Sequence, residues 1–74
     1  MASKMVKITT ISDVKDLINY TRAVDGDVLI KKGNYIVDGT SILGVLSLDM
    51  STPVEIEYPQ NALELEGFLN NFLA

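Results

Sequence analysis

The chain has 74 residues, 47% apolar and 22% charged, a net charge of −4, and neither cysteine nor histidine. That length holds one small hydrophobic core, so residues 1–74 are read as a single domain, and the composition is that of a globular chain. The missing residue types exclude a disulfide framework, thiolate or imidazole metal sites, and every mechanism with Cys or His as nucleophile or base. The acidic balance speaks against nucleic-acid binding, which needs a cationic face.

Charge is also unevenly placed. All six Lys and Arg lie at or before Lys32, and from Gly33 onward the charged residues are Asp38, Asp49, Glu55, Glu57, Glu64 and Glu66. No apolar run approaches the length of a membrane span, and Met1-Ala2-Ser3-Lys4 is too short and polar for a secretory signal. The expectation is a cytoplasmic protein with no membrane contact.

In chain order, Met5 to Thr9 alternates as a first strand with Val6 and Ile8 on one face. Ser12 or Asp13 is placed to cap a helix with Val14, Leu17, Ile18 and Val24 on its apolar side, and Asp25-Gly26 closes it. Asp27–Lys32 and Tyr35–Asp38 read as strands two and three. Gly33-Asn34 is a two-residue hairpin signal, because both residues tolerate positive φ. Ser41 then stands where the N-cap of a short helix would stand. Pro53 opens a fourth strand, Val54–Tyr58, with Val54, Ile56 and Tyr58 on one face and Glu55 and Glu57 on the wet one. Asn61-Ala62-Leu63-Glu64 has the form of a capping box. Ala62, Leu65, Leu69 and Phe72 follow as the buried stripe of a last helix, widened by Phe68 and Leu73. The order is β-α-β-β-α-β-α, an α+β arrangement of an antiparallel sheet with helices on one face.

The most distinctive stretch is Thr40 to Met50, with Ile42, Leu43, Val45, Leu46, Leu48 and Met50 and no basic residue. Gly44, a poor helix former, predicts close backbone approach or a helix held by packing. Val45 and Leu48 lie roughly opposite Leu43 on the helical wheel, so both sets cannot face the sheet. Ser-Ile-Leu-Gly-Val-Leu-Ser-Leu resembles the second-helix segment of HPr, the histidine-containing phosphocarrier family of the bacterial sugar phosphotransferase system. The resemblance runs from Val6 to the last helix and is sharpest from Asp27 to Leu48. It implies an open-faced β-sandwich with a four-stranded sheet in the order 1-4-2-3 and three helices on one face. It also implies that Ser41 matches the family's regulatory serine, a substrate of its ATP-dependent kinase. Ile42, Leu43 and Leu46 match partly exposed positions that touch partner proteins.

The departure matters as much. The family's phosphoacceptor histidine sits before the first helix in a His-Ala-Arg-Pro motif. Here that region is Thr9-Thr10-Ile11-Ser12-Asp13-Val14-Lys15, shorter and without histidine, arginine or proline, and Thr40 replaces the lysine usual before the serine. Thr9, Thr10 and Ser12 are poor substitutes, because their phosphate esters lack the leaving-group quality of a phosphoramidate. Their ordinary roles are strand end and helix cap. Ser41 is likewise a structural cap as well as a candidate phosphorylation site. Glu55 and Glu57 read as a solvated strand face, Lys31-Lys32 as a solvated strand end, and no acidic spacing matches a calcium loop.

The expected function is therefore that of a non-catalytic HPr-like protein. It needs no cofactor or metal and meets a protein partner, an HPr kinase or another phosphotransferase-system or regulatory protein. The alternative is a structural or self-associating module, a homo-oligomer without a phosphotransferase-system role. An enzyme is the weakest reading, since no nucleophile–base pair can be assembled.

Overall fold

Val54–Tyr58 carries the strictest alternation in the chain, and it forms the strand on which the sheet is built: Val54, Ile56 and Tyr58 are buried while Glu55 and Glu57 are half-buried on the other face. The computed structural model describes residues 1–74 and runs β1 (Ala2–Val6), α1 (Ile11–Arg22), β2 (Leu29–Lys32), β3 (Tyr35–Asp38), α2 (Ile42–Ser47), β4 (Val54–Tyr58), α3 (Leu63–Leu69). The sheet order is β1-β4-β2-β3, all pairs antiparallel. Ile30 of β2 faces Ile56 across the ladder, which aligns the apolar side of the sheet beneath the three helices. Val14, Leu17 and Ile18 of α1, Val45 of α2, and Leu65 and Leu69 of α3 close over Val6, Ile30, Val54, Ile56 and Tyr58 as one core. The α+β open-faced sandwich is thus the fold of this chain.

The turn between β2 and β3 uses Gly33 with φ 58° and no other residue at positive φ, so Gly33 alone takes the left-handed position and Asn34 does not. Tyr58 ends β4 with its hydroxyl donating to Glu66 Oε2 at 2.9 Å. Burial and then that acceptor push its phenol up to about 12.

Five expectations need correction. The first strand is Ala2–Val6, because its register is set by pairing with β4 (Ala2 opposite Tyr58, Val6 opposite Val54). Beyond Val6 the chain bonds elsewhere: Lys7 N–H donates to Phe72 O at 2.9 Å and Ile8 N–H to Met50 O at 2.8 Å. Ile8 is buried nonetheless. α1 is capped by Thr10, whose hydroxyl accepts from Asp13 N–H at 3.1 Å, so Ser12 and Asp13 lie inside the helix. The second strand begins at Leu29 rather than Asp27. The capping box at α3 does not form. Backbone bonds from Ala62 to Pro59 and from Leu63 to Asn61 turn the chain so that Ala62 becomes the N-cap, with no side-chain cap. Leu73 is largely exposed, since residues after α3 leave the helix and bridge to Val6.

Candidate functional site

The segment from Asp38 to Asp49 is held at both ends by side chains. At its start, Asp38 Oδ1 accepts from Thr40 N–H at 2.9 Å and Thr40 Oγ1–H at 2.8 Å. The backbone bond and then the hydroxyl hold the Asp38 carboxyl below the ordinary carboxylate range. Ser41 N–H donates to Asp38 O at 3.1 Å, and Ser41 is the N-cap of α2: its Oγ accepts from Gly44 N–H at 3.2 Å. A short polar side chain is favoured there because the first amides of a helix have no intrahelical acceptor. Ser41 itself is exposed.

α2 has two unlike sides. Val45 is fully buried, whereas Leu43 is 81% exposed and Leu46 is 46% exposed. Ile42 and Leu48 are half-buried against the core. Leu43 and Leu46 thus look outward together, and Ile42 joins them only in part, because it also packs against the core. A Cβ at Gly44 would stand 3.4 Å from Val37 Cβ, an ordinary contact, and 3.3 Å from Ser41 Oγ, so its tightest neighbour is the helix's own cap. Ile11, at the start of the neighbouring α1, is also exposed.

At the far end, Lys32 Nζ donates to Asp49 O at 2.8 Å and to Thr52 Oγ1, with Asp49 Oδ2 3.9 Å away. Ser51 bonds Asp49 Oδ1 through its hydroxyl and through its N–H at 3.1 Å, and these bonds, with a smaller part from Lys32, hold the Asp49 carboxyl low. Lys32 is therefore a loop anchor, and Lys31 pairs with Glu57 at 3.0 Å. Neither is a free strand-end cation, which corrects the reading of Lys31-Lys32 and of Glu57 as merely solvated.

Two residues with no signal in the sequence complete the arrangement. Thr21, buried in the last turn of α1, donates its hydroxyl to Gly39 O at 2.7 Å. Gly39 N–H in turn donates to Val28 O at 2.7 Å. Neither the threonine nor the glycine stands out in a pattern, because both act across the fold. Around the start of α1, Thr9, Thr10 and Ser12 are exposed and Thr10 is used as a cap. The cleft of about 350 Å³ between the end of α1 and the start of α3 is lined by Tyr20, Asp25, Asn61, Leu63 and Glu64 among others, without a nucleophile–base pair.

No protein-family model matches this chain, and no curated protein matches it. Among solved structures, the fold is similar to the crystal structure of a phosphocarrier protein HPr from Bacillus anthracis str. Ames. The TM-score is 0.71 at 19% identity, covering 96% of this chain and 95% of that one.

Proposed function

From that likeness of fold, we propose that this chain is a single-domain, non-catalytic relative of the HPr phosphocarriers that acts by protein contacts. It has kept the scaffold and lost the carrier chemistry. The observation that carries the reading is the outward pair Leu43 and Leu46 on a capped α2, in a chain with no histidine to phosphorylate. An imidazole supplies a nucleophile near neutral pH and a good leaving group at once; the hydroxyls of Thr9, Thr10 and Ser12 supply neither. Contiguous exposed apolar side chains on a small chain mark an interaction surface. In this reading Ile42, Leu43 and Leu46 meet a protein partner from the cytoplasmic sugar-transport machinery or its regulation. Ser41 is the residue an HPr-type kinase modifies, since a phosphate at a helix start is favoured by the backbone donors.

Two measurements test it. Affinity capture from the source cell, wild type beside Leu43→Asp, should recover a phosphotransferase-system or regulatory protein with the first bait only. Recovery of the chain itself alone would favour a self-associating module instead. Incubation with phosphoenolpyruvate and the general phosphotransferase enzyme should leave the intact mass unchanged, and an acid-labile adduct would overturn the proposal.

A further inference from the structure

Gly39 is gripped from two sides. Its N–H is bonded to Val28 O beside β2, and its buried carbonyl receives the Thr21 hydroxyl from α1. Two residues later comes Ser41. Thr21 has one proton and two carbonyls in range, Gly39 O at 2.7 Å and Ile18 O at 3.0 Å. The bond to Ile18 is the local one that any helical threonine can make; the bond to Gly39 exists only because α1 lies against the turn. No backbone N–H competes for the Gly39 carbonyl. Without the hydroxyl that carbonyl would be buried and unpaired, and the segment would have to move to reach water.

We propose that Thr21 is the positioning residue of the Ser41 turn: through the Gly39 carbonyl it holds residues 38–41 in the conformation that presents Ser41 and starts α2. The proposal rests on the reading of Ser41 as the modified residue, and it names the control over that site. The dependence is strong because α2 is weak on its own. It has six residues, a glycine in its interior and no charged side chain to complement its dipole, so tertiary anchoring must supply its start. The other ties in the turn, Asp38 to Thr40 and Ser41 to Gly44, are local and exposed. Among the hydrogen bonds of the turn, those to Thr21 and Val28 are the ones that reach beyond the turn and α2.

The test compares Thr21→Val, Thr21→Ala and Thr21→Ser. Val keeps the shape, Ala leaves room in place of an added methyl, and Ser keeps the hydroxyl. Native-state amide exchange followed by NMR is the readout. With Val or Ala, exchange at Ser41, Gly44 and Val45 should accelerate at least tenfold more than at Ile56 of β4, and Ser should restore the wild-type ratio. A uniform acceleration across turn and sheet, or a Ser variant indistinguishable from Ala, would overturn the proposal. Labelling by an HPr-type kinase and ATP is run alongside. If wild type is never labelled, the modification reading fails while the exchange result still decides the role of Thr21. If wild type is labelled, Val should change the labelling rate and Ser should recover it.

Discussion

Gly39 and Gly67 should respond to the same substitution with opposite signs. A Cβ on Gly39 would stand 2.7 Å from Val28 Cγ1 and 3.0 Å from Val28 O. Val28 is 1% exposed and the second contact is backbone, so neither neighbour can swing aside. Overpacking of this kind costs about 1–3 kcal/mol. Strain on the two 2.7 Å bonds that Gly39 makes puts the expected loss in the upper half of that range. Gly67 lies in the interior of α3, exposed, with no atom within 4 Å of an added Cβ. There the methyl only removes backbone freedom from the unfolded chain, a gain of about 0.8–1 kcal/mol. A domain of this size changes its melting temperature by about 4–8 °C per kcal/mol. Gly39→Ala should therefore melt roughly 8–24 °C below wild type, and Gly67→Ala about 3–8 °C above it. Thermal and urea unfolding followed by circular dichroism at one pH measure both. If Gly39→Ala were neutral, or if both changes shifted stability in the same direction, the close approach of the α2 turn to Val28 would be refuted.

Leu43→Asp should lower stability by only about 0.5 kcal/mol, because about a fifth of the side chain is covered and an acid is welcome in the first turn of a helix. Val45→Asp, at a fully buried position, should abolish folding, since a domain of this size has only roughly 4–11 kcal/mol to lose; equal melting temperatures for the two variants would show Leu43 to be core. Ser41→Ala should cost about 0.5–2 kcal/mol whether or not a kinase acts on it, as measured by the urea midpoint; no change would show that the Gly44 amide needs no cap. Tyr58 titrates higher in the folded chain than its ordinary value of 10.0, so its contribution is complete below pH 10 and is lost as pH rises through about 12. Tyr58→Phe should remove that alkaline loss, on the order of 2–3 kcal/mol, from the stability-versus-pH profile; identical profiles would contradict the burial of its hydroxyl beside Glu66.

Much of this fold was legible residue by residue. Val54, Ile56 and Tyr58 alternate, Val14, Leu17 and Ile18 recur at helical spacing, and Gly33 punctuates a hairpin. Each is a local pattern whose physical cause lies within a few residues, so element types and the buried faces could be read directly. Ser41 as a cap belongs to the same class, as does the lack of any imidazole for phosphoryl transfer; helical spacing set Val45 opposite Leu43, but only packing decided that Val45 is the inward one. What depended on distant partners could not be read this way. The extent of β1 follows from its register on β4, 50 or so residues away along an extended pairing that no local alternation encodes. Thr10 replaced Ser12 as the cap of α1 because the path after Val6 is set by bonds to Phe72 and Met50. Lys32 reads as a solvated cation until the loop after α2 brings Asp49 and Thr52 to it. Thr21 and Gly39 carry no pattern at all; a hydroxyl in one helix and a missing Cβ in a turn acquire meaning only when packing sets them 2.7 Å from their partners. Side-chain periodicity records which face of an element is buried, but only the assembled fold decides which buried polar groups must meet.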